Sequence, residues 1–156
     1  MNNQLFITLK RKLDDLAARG EVDAETRRNA IKEELQYHAL NFIYHHPECR
    51  NWIMYGGSAL RICYDLNRMS VDLDFEIKQQ CTDAFLNKLK KKMERYFTAS
   101  YALVPTAFSV KIVRGRGLLL RFVIGDELSL GHPSKQVHIK IDLNHFVAGK
   151  TVVERI

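Results

Sequence analysis

Asp72 and Asp74 stand one residue apart in Val71-Asp-Leu-Asp-Phe-Glu-Ile77, where apolar and acidic residues alternate strictly. Strand side chains alternate between faces, so Val71, Leu73, Phe75 and Ile77 share one face and Asp72, Asp74 and Glu76 the other. The two aspartates would then lie about 6 to 7 Å apart. Carboxylates that close repel each other unless a proton or a cation sits between them. Oxygen ligands of this kind suit magnesium, which usually takes one or two carboxylates plus substrate phosphates. Upstream, the apolar run Trp52-Ile53-Met54-Tyr55 is closed by Gly56-Gly57. Ser58 then opens a segment to Leu66 in which Leu60, Cys63 and Tyr64 recur at helical spacing. The glycines let the backbone come close to a ligand, and Ser58 sits where a helix leaves its first N–H groups unpaired. Such an end attracts anions. A phosphate cradle next to a magnesium pair reads as a nucleotide site.

Taken singly, each part has a plainer reading. Gly-Gly-Ser before a helix is a turn and an N-cap. An acidic strand face is the solvated side of an antiparallel sheet. What favours chemistry is their joint occurrence, with thirteen residues between Ser58 and Asp72. In that combination Gly57-Ser58 and Asp72-Leu73-Asp74 resemble the signature of the DNA-polymerase-β-like nucleotidyltransferase superfamily. The fuller string, Gly56-Gly57-Ser58-Ala59-Leu60 with Arg68-Met69-Ser70-Val71-Asp72-Leu73-Asp74-Phe75, is similar more narrowly to the AbiEii/AbiGii toxin family. The likeness is specific over about two dozen residues.

The resemblance implies transfer of a nucleoside monophosphate from a nucleoside triphosphate to an acceptor hydroxyl. It suggests RNA, with the 3′ end of tRNA as one form of acceptor, and the toxin role in a toxin–antitoxin or phage-defence pair with a cognate antitoxin. It implies a divalent cofactor, Mg2+ or Mn2+, held by Asp72 and Asp74, and a third acid on a later strand. Gly56, Gly57, Ser58, Arg68 and Ser70 would serve the nucleotide. Members of the family generally continue into a helical C-terminal region that this chain, stopping at Ile156, is expected to lack. Two other functions share the same residues: an idle RNA- or protein-binding module of this fold, and a phosphotransferase.

The third acid is sought in Gln136-Val-His-Ile-Lys-Ile-Asp-Leu-Asn144, which alternates like the first acidic strand. Ile139, Ile141 and Leu143 face the core, and His138, Lys140, Asp142 and Asn144 face the other way. If this strand lies beside 71–77, Asp142 projects toward Asp72 and Asp74, with Lys140 two positions away on the same face, near the triphosphate. Asp126 and Glu127 are the other candidates in that part of the chain. Asp126 follows Gly125 in a stretch of turn composition, where acids serve local hydrogen bonds. Asp142 lies mid-strand, where Asp has poor propensity and needs another reason to be present.

The remaining elements must hold these residues. Leu5, Leu9, Leu13 and Leu16 mark an amphipathic helix over 4–19 that Gly20 ends. Asp23 caps a second, about 24–44, with Ile31, Leu35, His38 and Phe42 on its inner face, and Pro47 closes it. Thr82 caps a third running through Phe97, with Phe85, Leu86, Leu89, Met93 and Phe97 inside and Lys88, Lys91, Lys92 and Arg95 as a basic stripe, read as solvated surface. Strands at 109–114 and 118–124 flank Gly115-Arg116-Gly117 as a hairpin, and Asp126 to Lys135 reads as a loop. His45-His46-Pro-Glu48-Cys49 has ligand-type residues at a spacing that matches no standard zinc pattern.

The expected architecture is α+β: a nucleotidyltransferase fold with a small mixed sheet flanked by helices. At 156 residues it reads as one domain, a helical pair over 1–46 packed on a core of 47–156. No apolar run approaches a membrane span, and Met1-Asn-Asn-Gln has no signal-peptide form. Three scattered cysteines, Cys49, Cys63 and Cys81, suggest reduced thiols and a cytoplasmic protein. The net charge of +6 agrees with a polyanionic partner.

Overall fold

A computed structural model describes residues 4–70, 72–145 and 153. Two helices come first, α1 (Gln4–Ala18) and α2 (Ala24–His45). Leu5, Leu9 and Leu13 of α1 recur at helical spacing and are buried against α2. Asp23 caps α2 by accepting from the Thr26 N–H at 2.7 Å. The buried stripe of α2 includes Ile31, Leu35, Phe42 and Ile43; His38 is half-buried, its Nδ1 2.7 Å from the Tyr101 hydroxyl.

Then follow β1 (Ile53–Tyr55), α3 (Gly56–Tyr64), β2 (Asp72–Ile77), α4 (Asp83–Tyr101), β3 (Phe108–Val113), β4 (Gly117–Val123), α5 (Gly125–Ser129) and β5 (Gln136–His145). The five strands form one mixed sheet in the order β1-β2-β5-β4-β3. β2 and β5 run parallel at its centre, and the other pairs are antiparallel. This is a mixed α/β architecture with an N-terminal helical pair. Val71, expected at the head of β2, lies outside the described residues.

The strict alternation of β2 is realised in its burial. Leu73, Phe75 and Ile77 are buried, and Asp72, Asp74 and Glu76 are only partly so. Ile139, Ile141 and Leu143 of β5 join them in a core shared with Leu118, Leu120 and Phe122 of β4 and with helices α1, α2 and α4. Aromatic contacts weld the helices to this side: Phe97 of α4 stacks on Phe108 at 4.6 Å, and Tyr44 of α2 meets Phe75 edge-on.

Several local expectations change. The helix expected to begin at Ser58 begins at Gly56, with Tyr55 in the cap position and no side-chain cap. Gly56 takes φ +77°, which turns the chain directly from β1 into the helix. Within the stretch read as a loop, α5 forms because Gly125 (φ +79°) breaks β4 and lets Leu128 bury against the core. Helix α4 runs on to Tyr101, whose ring packs on Phe97. Of its basic stripe, Lys88 and Lys92 both reach Glu48 at 3.0 Å, tying α4 to the turn before β1. Cys49 in that turn is fully buried, and burial pushes its thiol up to about 12.

Candidate active site

The parallel register of β2 and β5 sets Asp74 opposite Asp142, Asp72 opposite Lys140 and Glu76 opposite Asn144. Cross-strand partners share a face, with Cβ atoms about 5 Å apart. Asp142 is therefore the later acid that the fold brings to the pair. Asp126 and Glu127 are held elsewhere: Asp126 pairs with Lys135, and Glu127 with Lys10 at 2.9 Å. On the other flank of β2, Tyr55 faces Asp74 across the antiparallel β1 pairing. Its hydroxyl accepts from the Asn144 amide, closing a row of Tyr55, Asp74, Asp142 and Asn144 around the centre of the sheet.

Charge in this row is unbalanced. Burial first, then Asp142 and Asp72, pushes the Asp74 carboxyl above its ordinary range, and Lys140 pulls it partly back. Lys140 Nζ lies 3.4 Å from Asp142 Oδ2 and is the cation seated on the cluster. Burial, followed by Asp74, Glu76 and Asp142, also raises the Tyr55 phenol. Glu76 Oε2 is buried without a hydrogen-bond partner among the described residues. Among those residues no three acidic, histidine or cysteine side chains close up enough to enclose a metal ion as they stand. The donor set nonetheless fits a hard divalent cation: carboxylate oxygens project from two adjacent strands, and burial followed by the charge of its neighbours raises one of them.

The glycine turn is built against this cluster. A Cβ at Gly56 would stand 2.9 Å from Asp74 Oδ2, and one at Gly57 3.0 Å from Ser70 Oγ. Both glycines therefore let the start of α3 pass closely over the strand that carries the aspartates. The first N–H groups of α3 have no partner within the helix. Ser58 is buried, and its hydroxyl donates to the Asp72 carbonyl, so the side chain pins α3 to β2 instead of capping the helix. Ser70 lies under Gly57, and its own carbonyl accepts from Gln36 Nε2 at 2.9 Å. Arg68 is exposed in the turn between α3 and β2.

Four supporting features were not singled out from the sequence. Asn144 could have been, because alternation assigns it to the face of Asp142; Tyr55 ends an unbroken apolar run, and only its register with Asp74 sets its face. Gly117, read as part of a turn, has φ +155°, and a Cβ there would come within 1.9 Å of the Ile141 carbonyl oxygen. It opposes Asp142 in the register and allows β4 to close on β5. Glu33 of α2, buried, binds Arg61 of α3 at 3.0 Å, and nothing local in the sequence marks that pair.

The family model for the nucleotidyl transferase AbiEii toxin of type IV toxin–antitoxin systems matches residues 38–155. The chain belongs to the AbiEii family. No curated protein and no solved structure matches it. AbiEii proteins are nucleotidyl transferases, which move phosphorus-containing groups, and a toxin of such a system implies a nucleotide substrate and a cognate antitoxin. Nucleotidyl transferases generally use divalent metals. The match spans every element from the last third of α2 through β5, including the acidic strands and the glycine turn. No helix among the described residues is long and apolar enough to cross a membrane.

Proposed function

We propose that this AbiEii protein is a metal-dependent toxin that moves a nucleoside monophosphate from a nucleoside triphosphate to a hydroxyl of an RNA acceptor, with tRNA as the natural form, in the cytoplasm. The observation that carries the reading is the pairing of Asp74 with Asp142 beside the glycine-opened end of α3. Asp72, Asp74 and Asp142 would hold the cofactor, Mg2+ or Mn2+. When bound, such ions stabilise the attacking and leaving oxygens of an in-line displacement.

The chain's own groups do the rest. The N–H groups of Gly57, Ser58 and the next residues point out of the helix start and orient the β- and γ-phosphates. Ser58 contributes through its N–H, since its hydroxyl holds Asp72 in place. Ser70 lies under Gly57, and Arg68 stands exposed two residues before it; both extend the nucleotide contacts. Lys140 keeps a positive charge beside Asp142, where it meets a phosphate oxygen once the acids are neutralised. Asp142 takes the proton of the attacking hydroxyl at Oδ1 or Oδ2. The helical pair over 1–46 braces the 47–156 core as part of one domain, Gln36 reaching Ser70 from α2.

The test uses triphosphates labelled at the α or the γ position, incubated with the protein, a divalent ion and total RNA. Label passing from the α position to RNA supports nucleotidyl transfer. Label from γ alone would make the protein a phosphotransferase, and transfer from neither would leave a binding module.

A further inference from the structure

Around the start of β5, beyond Lys140, stand three cations, Arg28, Lys32 and Arg121, and the imidazole of His138, with no acidic partner among the described residues. His138 of β5 lies opposite Arg121 of β4, so the two share the face that carries Lys140 and Asp142. Arg121 Nε donates to Ser109 Oγ at 2.9 Å on β3, which fixes the guanidinium without neutralising it. Arg28, from α2, donates to the backbone carbonyls of Ser134 and Gln136 at the start of β5. Lys32 follows one turn along α2. Burial, and then Arg121, Lys32 and Arg28, holds the His138 imidazole below its usual value, which places all four within one field. Several cations elsewhere are answered by acids: Lys88 and Lys92 by Glu48, Arg114 by Asp83, Lys135 by Asp126. Like charges gathered without counter-ions repel, and an arriving polyanion relieves that repulsion.

We infer that Arg28, Lys32, Arg121 and His138 form a docking track for the phosphate backbone of a single-stranded RNA, leading its reacting end to Asp74 and Asp142. The assignment rests on the transfer reaction proposed above and adds the surface that holds the acceptor. Distance separates this track from the triphosphate chain. His138 is four residues from Asp142 on one strand, about 13 Å at the usual rise. The phosphate chain of a nucleotide held at the carboxylates and the start of α3 is shorter than that, whereas about four nucleotides of a strand span it at ~3.4 Å each. The contacts available there are charge and hydrogen-bond donors, which read phosphates and leave base identity to the centre of the site.

The experiment measures two bindings separately: a short fluorescein-labelled oligoribonucleotide by anisotropy, and a magnesium–triphosphate by calorimetry. The protein variants are Lys32→Ala with Arg121→Gln, the charge-keeping Arg121→Lys, and Asp74→Asn. Each phosphate contact contributes about 0.7 to the slope of log affinity against log salt, or about 5-fold at 0.1 M salt. The double variant is expected to lose about 25-fold in RNA affinity, with a slope shallower by about 1.4. Its triphosphate affinity should stay within about twofold, and Arg121→Lys should restore most of its share, which a merely structural Arg121 would not allow. Asp74→Asn should lose triphosphate and keep RNA. RNA binding unchanged in the double variant overturns the track, whatever the triphosphate does. A parallel loss of triphosphate affinity would also overturn it, because the cations would then belong to the nucleotide. Polyglutamate competing as well as RNA points to an acidic protein partner and overturns it too. RNA binding that falls as expected in a protein that binds no triphosphate supports the track and removes the transfer reaction instead.

Discussion

Replacing Asp74 by Asn should make the protein more stable while abolishing transfer. The substitution keeps the shape of the side chain and removes one charge from a row where Asp142 lies directly across and Asp72 one step along. Two unit charges about 5 Å apart repel by about 0.8 kcal/mol in bulk water and by about 3 kcal/mol at an effective dielectric near 20. The site is partly open to solvent and Lys140 offsets some of the repulsion, so the lower end applies, about 1 kcal/mol. For a domain of this size that is a rise in Tm of about 2 to 4 °C. The pH dependence has a definite sign. The folded Asp74 carboxyl is raised above its ordinary value, so the wild type is unpenalised below the unfolded pKa and loses stability as pH rises through the folded one. The variant cannot ionise there. The two melting curves should coincide in acid and separate toward neutral pH. Added NaCl should narrow the gap, and magnesium should raise the wild-type Tm but not the variant's. Thermal melts followed by circular dichroism over a pH series, at low and high salt, provide the measurement. A variant no more stable than wild type at neutral pH and low salt would refute the electrostatic argument, as would a gain that persists in acid.

Further expectations concern the scaffold. Gly117→Val should destabilise the fold by about 3 kcal/mol or more, seen as a lower urea midpoint, because its Cβ would collide with the Ile141 carbonyl from a backbone conformation that favours glycine. Arg61→Ala leaves the buried Glu33 carboxylate without its partner and should cost about 3 kcal/mol, with Arg61→Ala/Glu33→Gln recovering part of the loss. Ser58→Ala should cost about 1 kcal/mol of stability by removing the bond to the Asp72 carbonyl. Transfer should fall by more than the unfolded fraction explains, through a displaced Asp72, and wild-type turnover would show that the bond is structural alone.

The sequence by itself determined the faces. A period of two is a local property of an extended chain, so Val71 to Ile77 and Gln136 to Asn144 announce which residues face the core and which face away wherever the strands are placed. The amphipathic spacing of Leu5, Leu9 and Leu13, and of Leu86, Leu89 and Met93, did the same for α1 and α4. The glycine turn ahead of a helix was legible too, because Gly56 and Gly57 act through their own backbone. Its helix boundary was misplaced by two residues, since a Ser before an apolar run looks like a cap when its partner strand is unknown. Only the tertiary structure decided which acids meet. That Asp142 faces Asp74, while Asp126 and Glu127 go to Lys135 and Lys10, follows from a parallel register between strands almost seventy residues apart. Long-range pairing is set by the whole core and leaves no mark at either residue. The same holds for the Ser58 hydroxyl on Asp72, the Gly117 contact with Ile141, and the reach of Arg28 to the Ser134 and Gln136 carbonyls. Each depends on how separate elements pack, and packing is a property of the folded chain as a whole, which no local stretch of sequence encodes.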